Sequence, residues 1–331
     1  MPRSKVCGGC LARGGQDSLH RLGLERVLQD AVALHTMRIC AAGHNIGIAL
    51  KPMLGIDRAR LDAGLTRLAA EAGADVLDGT SARATPEGRV TLRRGDGSAR
   101  LHAGAVIVAD GLSGSALSDE PDFTWRVGRW SKVGVGGVVA RIEGVAENTI
   151  TMCVGREGYV GVAPIEAGRM AVAAALNVEA LGAEGGMRRI LTRIVQASGA
   201  SIELPPDLPL KGVAQLTRRR ACVEAGRVLV AGDATGYVEP FTGEGMSWAI
   251  RAGELSAAFA ARLARSALRR GEWSRVLDDE FGLARRRCTA VAALLERPIL
   301  LRLSMTLADA APAAATMLSG LFGRVAQRSM A

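Results

Sequence analysis

Apolar positions change their period several times along this chain. After an aperiodic Gly/Cys-rich start over 1–11, Leu19, Leu22 and Val27 share one face of a helix. Two strand-like runs follow at 33–41 and 45–50, the second with Ile46, Ile48 and Leu50 alternating. From Asp57, a good N-cap, Leu61, Leu65 and Leu68 recur at helical spacing until Gly73 stops them, and a short strand is expected at 75–77. Segments 89–93 and 99–102 flank Gly95-Asp96-Gly97, a strong hairpin signal. The runs 105–109 and 227–231 are solidly apolar, as strands buried on both faces are. Between them lies a β-rich block with strands at 133–142, 149–154, 159–165 and 170–176, then a helix at 186–198 and a Pro-rich linker at 204–209. Past 231 the pattern is helical almost to the end. Parallel-type strands alternating with helices, interrupted by a contiguous antiparallel block, predict an α/β (α+β mixed) nucleotide-binding domain carrying an inserted β-sheet substrate domain and C-terminal helices.

Composition narrows the classes. Hydrophobic residues make up 48% and charged residues 23% of 331 positions, which is globular and excludes fibres and disorder. Aromatics at 3% argue against a base-stacking nucleic-acid platform. The net charge of +9 rests almost wholly on scattered arginines; lysine stands only at Lys5, Lys51, Lys132 and Lys211, so no basic stripe emerges. Six cysteines, of which only Cys7 and Cys10 lie close together, fit a reducing compartment, and the chain reads as cytoplasmic. The apolar stretch 298–322 is broken by Arg302, Asp309 and Pro312, too often for a membrane span, though a membrane surface contact fits it.

The chemistry concentrates in 230–246, Val-Ala-Gly-Asp-Ala-Thr-Gly-Tyr-Val-Glu-Pro-Phe-Thr-Gly-Glu-Gly-Met. An apolar strand ends in Gly232-Asp233, where a carboxylate can accept hydroxyl hydrogen bonds. Gly243-Glu244-Gly245 then opens a long helix whose free N–H groups favour an anion or an electron-rich ring edge. Spacing alone fits an ordinary strand–turn–helix equally well. The Cys7-x-x-Cys10 pair has no second ligand pair for zinc and no preceding strand for a thioredoxin-like motif.

This stretch resembles the second flavin motif of the FAD-dependent oxidoreductases related to p-hydroxybenzoate hydroxylase and geranylgeranyl reductase. The resemblance implies that Gly232 and Asp233 meet the ribityl chain, that Pro240 borders the reactive ring edge, and that Gly243, Glu244, Gly245 and Met246 face its N1/O2 side. The run 106–115, with Ala109, Asp110, Gly111 and Ser115, resembles the family's Asp-Gly motif; Leu117 stands where the family commonly carries Arg. Arg3-Ser-Lys5-Val-Cys7-Gly8-Gly-Cys-Leu11 with Leu22-Gly-Leu24 resembles the segment of the reductase and halogenase branches that passes the flavin, and Arg58-Ala-Arg-Leu-Asp62 the family's helix start. Arg3, Lys5, Cys7, Gly8 and Arg58 are thereby implied as cofactor contacts.

The resemblance implies a discontinuous FAD-binding domain (1–26, 57–118 and 210–265), a substrate domain (27–56 and 119–209) and a helical region (266–331). Members open with a strand–Gly-x-Gly-x-x-Gly–helix unit for the ADP half of FAD, and these 331 residues contain no such turn. A late start or a truncation is the expectation from that difference. The reductases' Tyr-x-Trp-x-Phe-Pro signature reads here Tyr159-Val-Gly161-Val-Ala163-Pro164, so the pocket gains room for a large apolar substrate. The implied activity is hydroxylation of a lipophilic or aromatic compound by an FAD enzyme drawing on NADH or NADPH. Alkene reduction of the geranylgeranyl reductase type, and a truncated non-catalytic binding protein, are the alternatives.

Overall fold

The computed structural model describes residues 5–182, 186–213, 215–239, 241, 243–266 and 268–310. Among these, eight strands form one mixed sheet in the order Cys10–Leu11, His44–Gly55, Val32–Ala41, Thr149–Gly155, Gly158–Pro164, Met170–Leu176, Val133–Val139, Lys211–Val213. Every joint is antiparallel except one. The block from Val133 to Leu176 is antiparallel throughout, as expected, but Thr149–Gly155 runs parallel to Val32–Ala41, so the block joins the earlier hairpin through a parallel seam. The period-2 pattern sorts the two faces. Ile150, Met152 and Val154 point to one core with Tyr159 and Ala163, whereas Cys153, Val160 and Val162 point to the other. The second face is covered by helix Gly186–Ser198, which turns Ile190, Leu191, Ile194 and Val195 onto it.

The helices carry the rest of the fold: α1 (Arg13–Arg21), α2 (Arg58–Glu71), α3 (Gly186–Ser198), α4 (Gly245–Arg265), α5 (Glu272–Leu295) and α6 (Pro298–Ala310). Asp57 caps α2, accepting the Ala59 N–H at 2.8 Å. A smaller sheet pairs Val106–Val108 in parallel with Val228–Val230, and Glu224–Ala225 lies on the far side of the latter. Trp273 of α5 is fully buried and donates its indole N–H to the Val230 carbonyl at 2.8 Å, fixing α5 against this sheet.

Three expectations change. The first helix stops at Arg21, because Gly23 takes φ 67°, and Leu22 is left exposed. Residues 75–77 form no strand; no strand lies beside them among the described residues, and Val76 and Leu77 face out. The 105–109 run is a strand, but at an edge: among the described residues it has one strand neighbour, and Ile107 is 40% exposed rather than buried.

Candidate functional site

The C-terminal end of Val228–Val230, the loop after it and the start of α4 meet the first face of the large sheet around a cavity of about 400 Å3. One wall is polar and glycine-rich: Lys5, Cys7, Gly8, Arg58, Asp110, Gly111, Gly232, Asp233, Gly243, Gly245 and Met246. The other is apolar and belongs to the sheet, with Met37, Ile150, Met152, Tyr159, Gly161 and Ala163. The backbone shapes both walls. Gly243 takes φ 73°, and a Cβ there would lie 3.0 Å from Cys10 Cβ, so only glycine passes the loop that close. The next turn begins α4, and its first N–H groups, free of intrahelical acceptors, lie at the cavity with Gly245 and Met246. Gly111, at φ 75°, leaves open space where a side chain would stand.

Asp233 and Arg58 supply the charge. Burial raises the Asp233 pKa, against the pull of Arg58, Lys5 and Arg285. Burial alone would lower the Arg58 pKa, but Cys7, Asp62 and Asp233 outweigh it and hold the guanidinium charged. Arg58 Nε donates to Asp62 at 2.6 Å, one turn along α2, which aims the side chain. Asp110 Oδ2 accepts the Ala116 N–H at 2.9 Å. Its carboxyl folds over Gly114, where a Cβ would collide at 1.9 Å. Cys7 and Cys10 both line the cavity as free thiols. Burial raises both pKa values, that of Cys10 to about 12 with a further push from Cys7.

Most residues singled out by sequence thus converge, from segments distant in the chain. Glu244 and Pro164 stand behind the wall rather than in it: Glu244 is buried beside Cys288, and the Pro164 carbonyl backs onto Gly55. Arg3 and Pro240 lie outside the described residues. Sequence reasoning missed Tyr237, although it sits inside the 230–246 motif. With Tyr159 it completes the chain's pair of tyrosines, and both line the cavity. Burial pushes both phenols well above their ordinary pKa, reinforced by Asp233 at Tyr237 and by Glu239 at Tyr159, so both stay protonated donors. Phe241 meets Tyr159 edge-on at 5.0 Å. Behind this loop Lys132 and Glu239, 3% and 1% exposed, form a buried ion pair at 3.1 Å, and Lys132 also contacts Glu296. No spacing signal could have joined these residues.

No family model matches the chain, and a search of curated proteins gives no match. Solved structures do match in fold. The flavin-dependent brominase Bmp2 superposes with a TM-score of 0.74 at 14% identity, over 97% of this chain and 85% of that one. A flavoprotein/dehydrogenase from Cytophaga hutchinsonii gives 0.76 at 14% identity, over 97% and 84%. A mutant of 2-methyl-3-hydroxypyridine-5-carboxylic acid oxygenase gives 0.64 at 18% identity, over 90% and 84%. The chain therefore shares the fold of flavin-dependent halogenases and oxygenases, the fold implied by its Gly-Asp and Asp-Gly motifs.

Proposed function

We propose that this chain is an FAD-dependent monooxygenase that hydroxylates a lipophilic or aromatic substrate, with NADH or NADPH as reductant. The observation that carries the reading is the division of one cavity into a charged glycine-rich half and an apolar half. The first half fits the flavin and ribityl parts of FAD: Asp233 accepts ribityl hydroxyls, Arg58 balances it, and Gly111, Gly232 and Gly243 allow backbone to approach a flat ring. The N–H groups at the start of α4 face the ring edge that becomes electron-rich on reduction. FAD, when bound, supplies two-electron transfer from the reductant and the transfer of one oxygen atom of O2 to the substrate, the other leaving as water.

The chain's residues do the rest. Met37, Ile150 and Met152 exclude water from the substrate half, and Gly161 and Ala163 leave width for a ring system. The protonated hydroxyls of Tyr159 and Tyr237, which make no side-chain hydrogen bond among the described residues, orient a polar substituent of an otherwise apolar compound. The structural neighbour PqsL of Pseudomonas aeruginosa has been seen in complex with 2-aminobenzoylacetate, an aromatic compound. The test is turnover of FAD-loaded protein with NADH or NADPH and a panel of ring compounds under 18O2. Labelled oxygen in the product supports monooxygenation; a product that has instead gained two hydrogens contradicts it and supports alkene reduction.

A further inference from the structure

We propose that the outer face of α6, together with the Trp130 turn beside its N-terminal end, docks on an anionic lipid surface. The helix has two apolar faces, one more than packing requires. Leu301 and Met305 turn inward and join the core cluster that contains Met37, Ile150, Met152 and Tyr159, so α6 backs the apolar wall of the cavity. Ile299, Leu303 and Leu307, spaced four apart, are 77%, 62% and 61% exposed, with Leu300 beside them. Trp130 is 71% exposed, in a turn closed by the Ser131 N–H donating to the Gly128 carbonyl at 3.1 Å. The contact of Lys132 with Glu296 holds that turn against the corner where α6 begins.

Charge selects the occupant. Of the two acids near α6 among the described residues, Glu296 is paired with Lys132, and Asp309, 62% exposed at the C-terminal end of the helix, contacts the His44 ring at 3.2 Å. Arg297 just before the helix, Arg302 on it, and Arg129 stacked on the Trp130 ring at 5.0 Å, form no ion pair among the described residues. An exposed apolar stripe edged by uncompensated arginines and an exposed tryptophan is the composition that seats a helix in the headgroup layer of an acidic membrane. No helix among the described residues is long and apolar enough to cross a membrane, so the contact is peripheral. A lipophilic substrate would then leave the bilayer next to the helix that backs its cavity.

The test is co-sedimentation of the full chain with phosphatidylcholine vesicles, with and without about one-third phosphatidylglycerol, at low and high salt. Wild type should pellet with the anionic vesicles at low salt and be released at high salt. Leu303→Asp should weaken that binding at least about tenfold, and Arg302→Glu at least about fivefold, with both variants melting as wild type does. Tryptophan emission should shift to the blue on the anionic vesicles, and the shift should vanish in Trp130→Phe. Equal recovery in the supernatant throughout overturns the proposal, as does binding that Leu303→Asp leaves unchanged or a blue shift that Trp130→Phe retains. A dimer in solution that Leu303→Asp separates would make a second copy the occupant and also overturn it.

Discussion

Replacing Asp233 by alanine separates a cofactor ligand from a structural carboxylate. If Asp233 accepts ribityl hydroxyls, the variant loses a charge-assisted hydrogen bond worth about 1.5–3 kcal/mol, which weakens FAD binding by roughly tenfold to 150-fold. Stability should move the other way. Burial raises the Asp233 pKa in the folded protein, so the folded state binds its proton more tightly than the unfolded chain does. Stability therefore falls as pH rises through that window, and at pH 7 the ionised side chain is a cost to the cofactor-free protein. Asp233→Ala removes the cost. Without FAD the variant should melt no lower than wild type at pH 7, and any advantage should shrink as pH falls through the carboxylate range. Isothermal titration with FAD and thermal melts between pH 4 and 8 read the two effects separately. Unchanged FAD affinity, or a large loss of stability at pH 7 without FAD, refutes the assignment.

Lys132→Met leaves Glu239 buried without its partner and should cost about 3–5 kcal/mol in urea unfolding at pH 7. The loss should shrink at lower pH, because burial already raises the Glu239 pKa and protonation removes the orphaned charge; a pH-independent loss would contradict this. Cys10, with its thiol pushed to about 12, should resist iodoacetamide at pH 7, and Cys10→Ser should leave flavin reduction intact. A Cys7–Cys10 disulfide found by mass spectrometry in the resting protein, with turnover lost in Cys10→Ser, would reverse that reading. Trp273→Ala removes a fully buried ring and its bond to Val230, for about 3–5 kcal/mol by calorimetry or denaturant; a loss below about 1 kcal/mol would show that α5 does not brace the small sheet.

What the sequence displayed was local. Helix 186–198 and strand 170–176 were legible to the residue, because one carries a clean helical stripe and the other is apolar between turn signals. The Asp57 cap and the Gly95-Asp96 turn depend on a few adjacent residues and were equally plain. The number of neighbours a strand has is not written in its own residues: 105–109 looks buried on both faces, yet among the described residues its ladder has one partner and Ile107 is 40% exposed. Nor does apolar character show direction, so the parallel seam between 149–155 and 32–41, more than a hundred residues apart, was invisible. The candidate site follows the same division. Asp233, Gly243 and Gly245 stand in one motif, whereas Tyr159 lining the same cavity as Tyr237, and Lys132 meeting Glu239, depend on sheet packing that joins distant segments.

The most direct test of the flavin site is a titration of the purified 331-residue chain into FAD, followed by flavin fluorescence and visible absorbance. A cavity that closes Asp233, Arg58 and the α4 N-terminus around the ring should give saturable one-to-one binding and a shifted, structured flavin band, and a bulky apolar ring compound that enters the substrate half should not displace the FAD. Flavin spectra that remain those of the free cofactor at saturating protein would contradict the account.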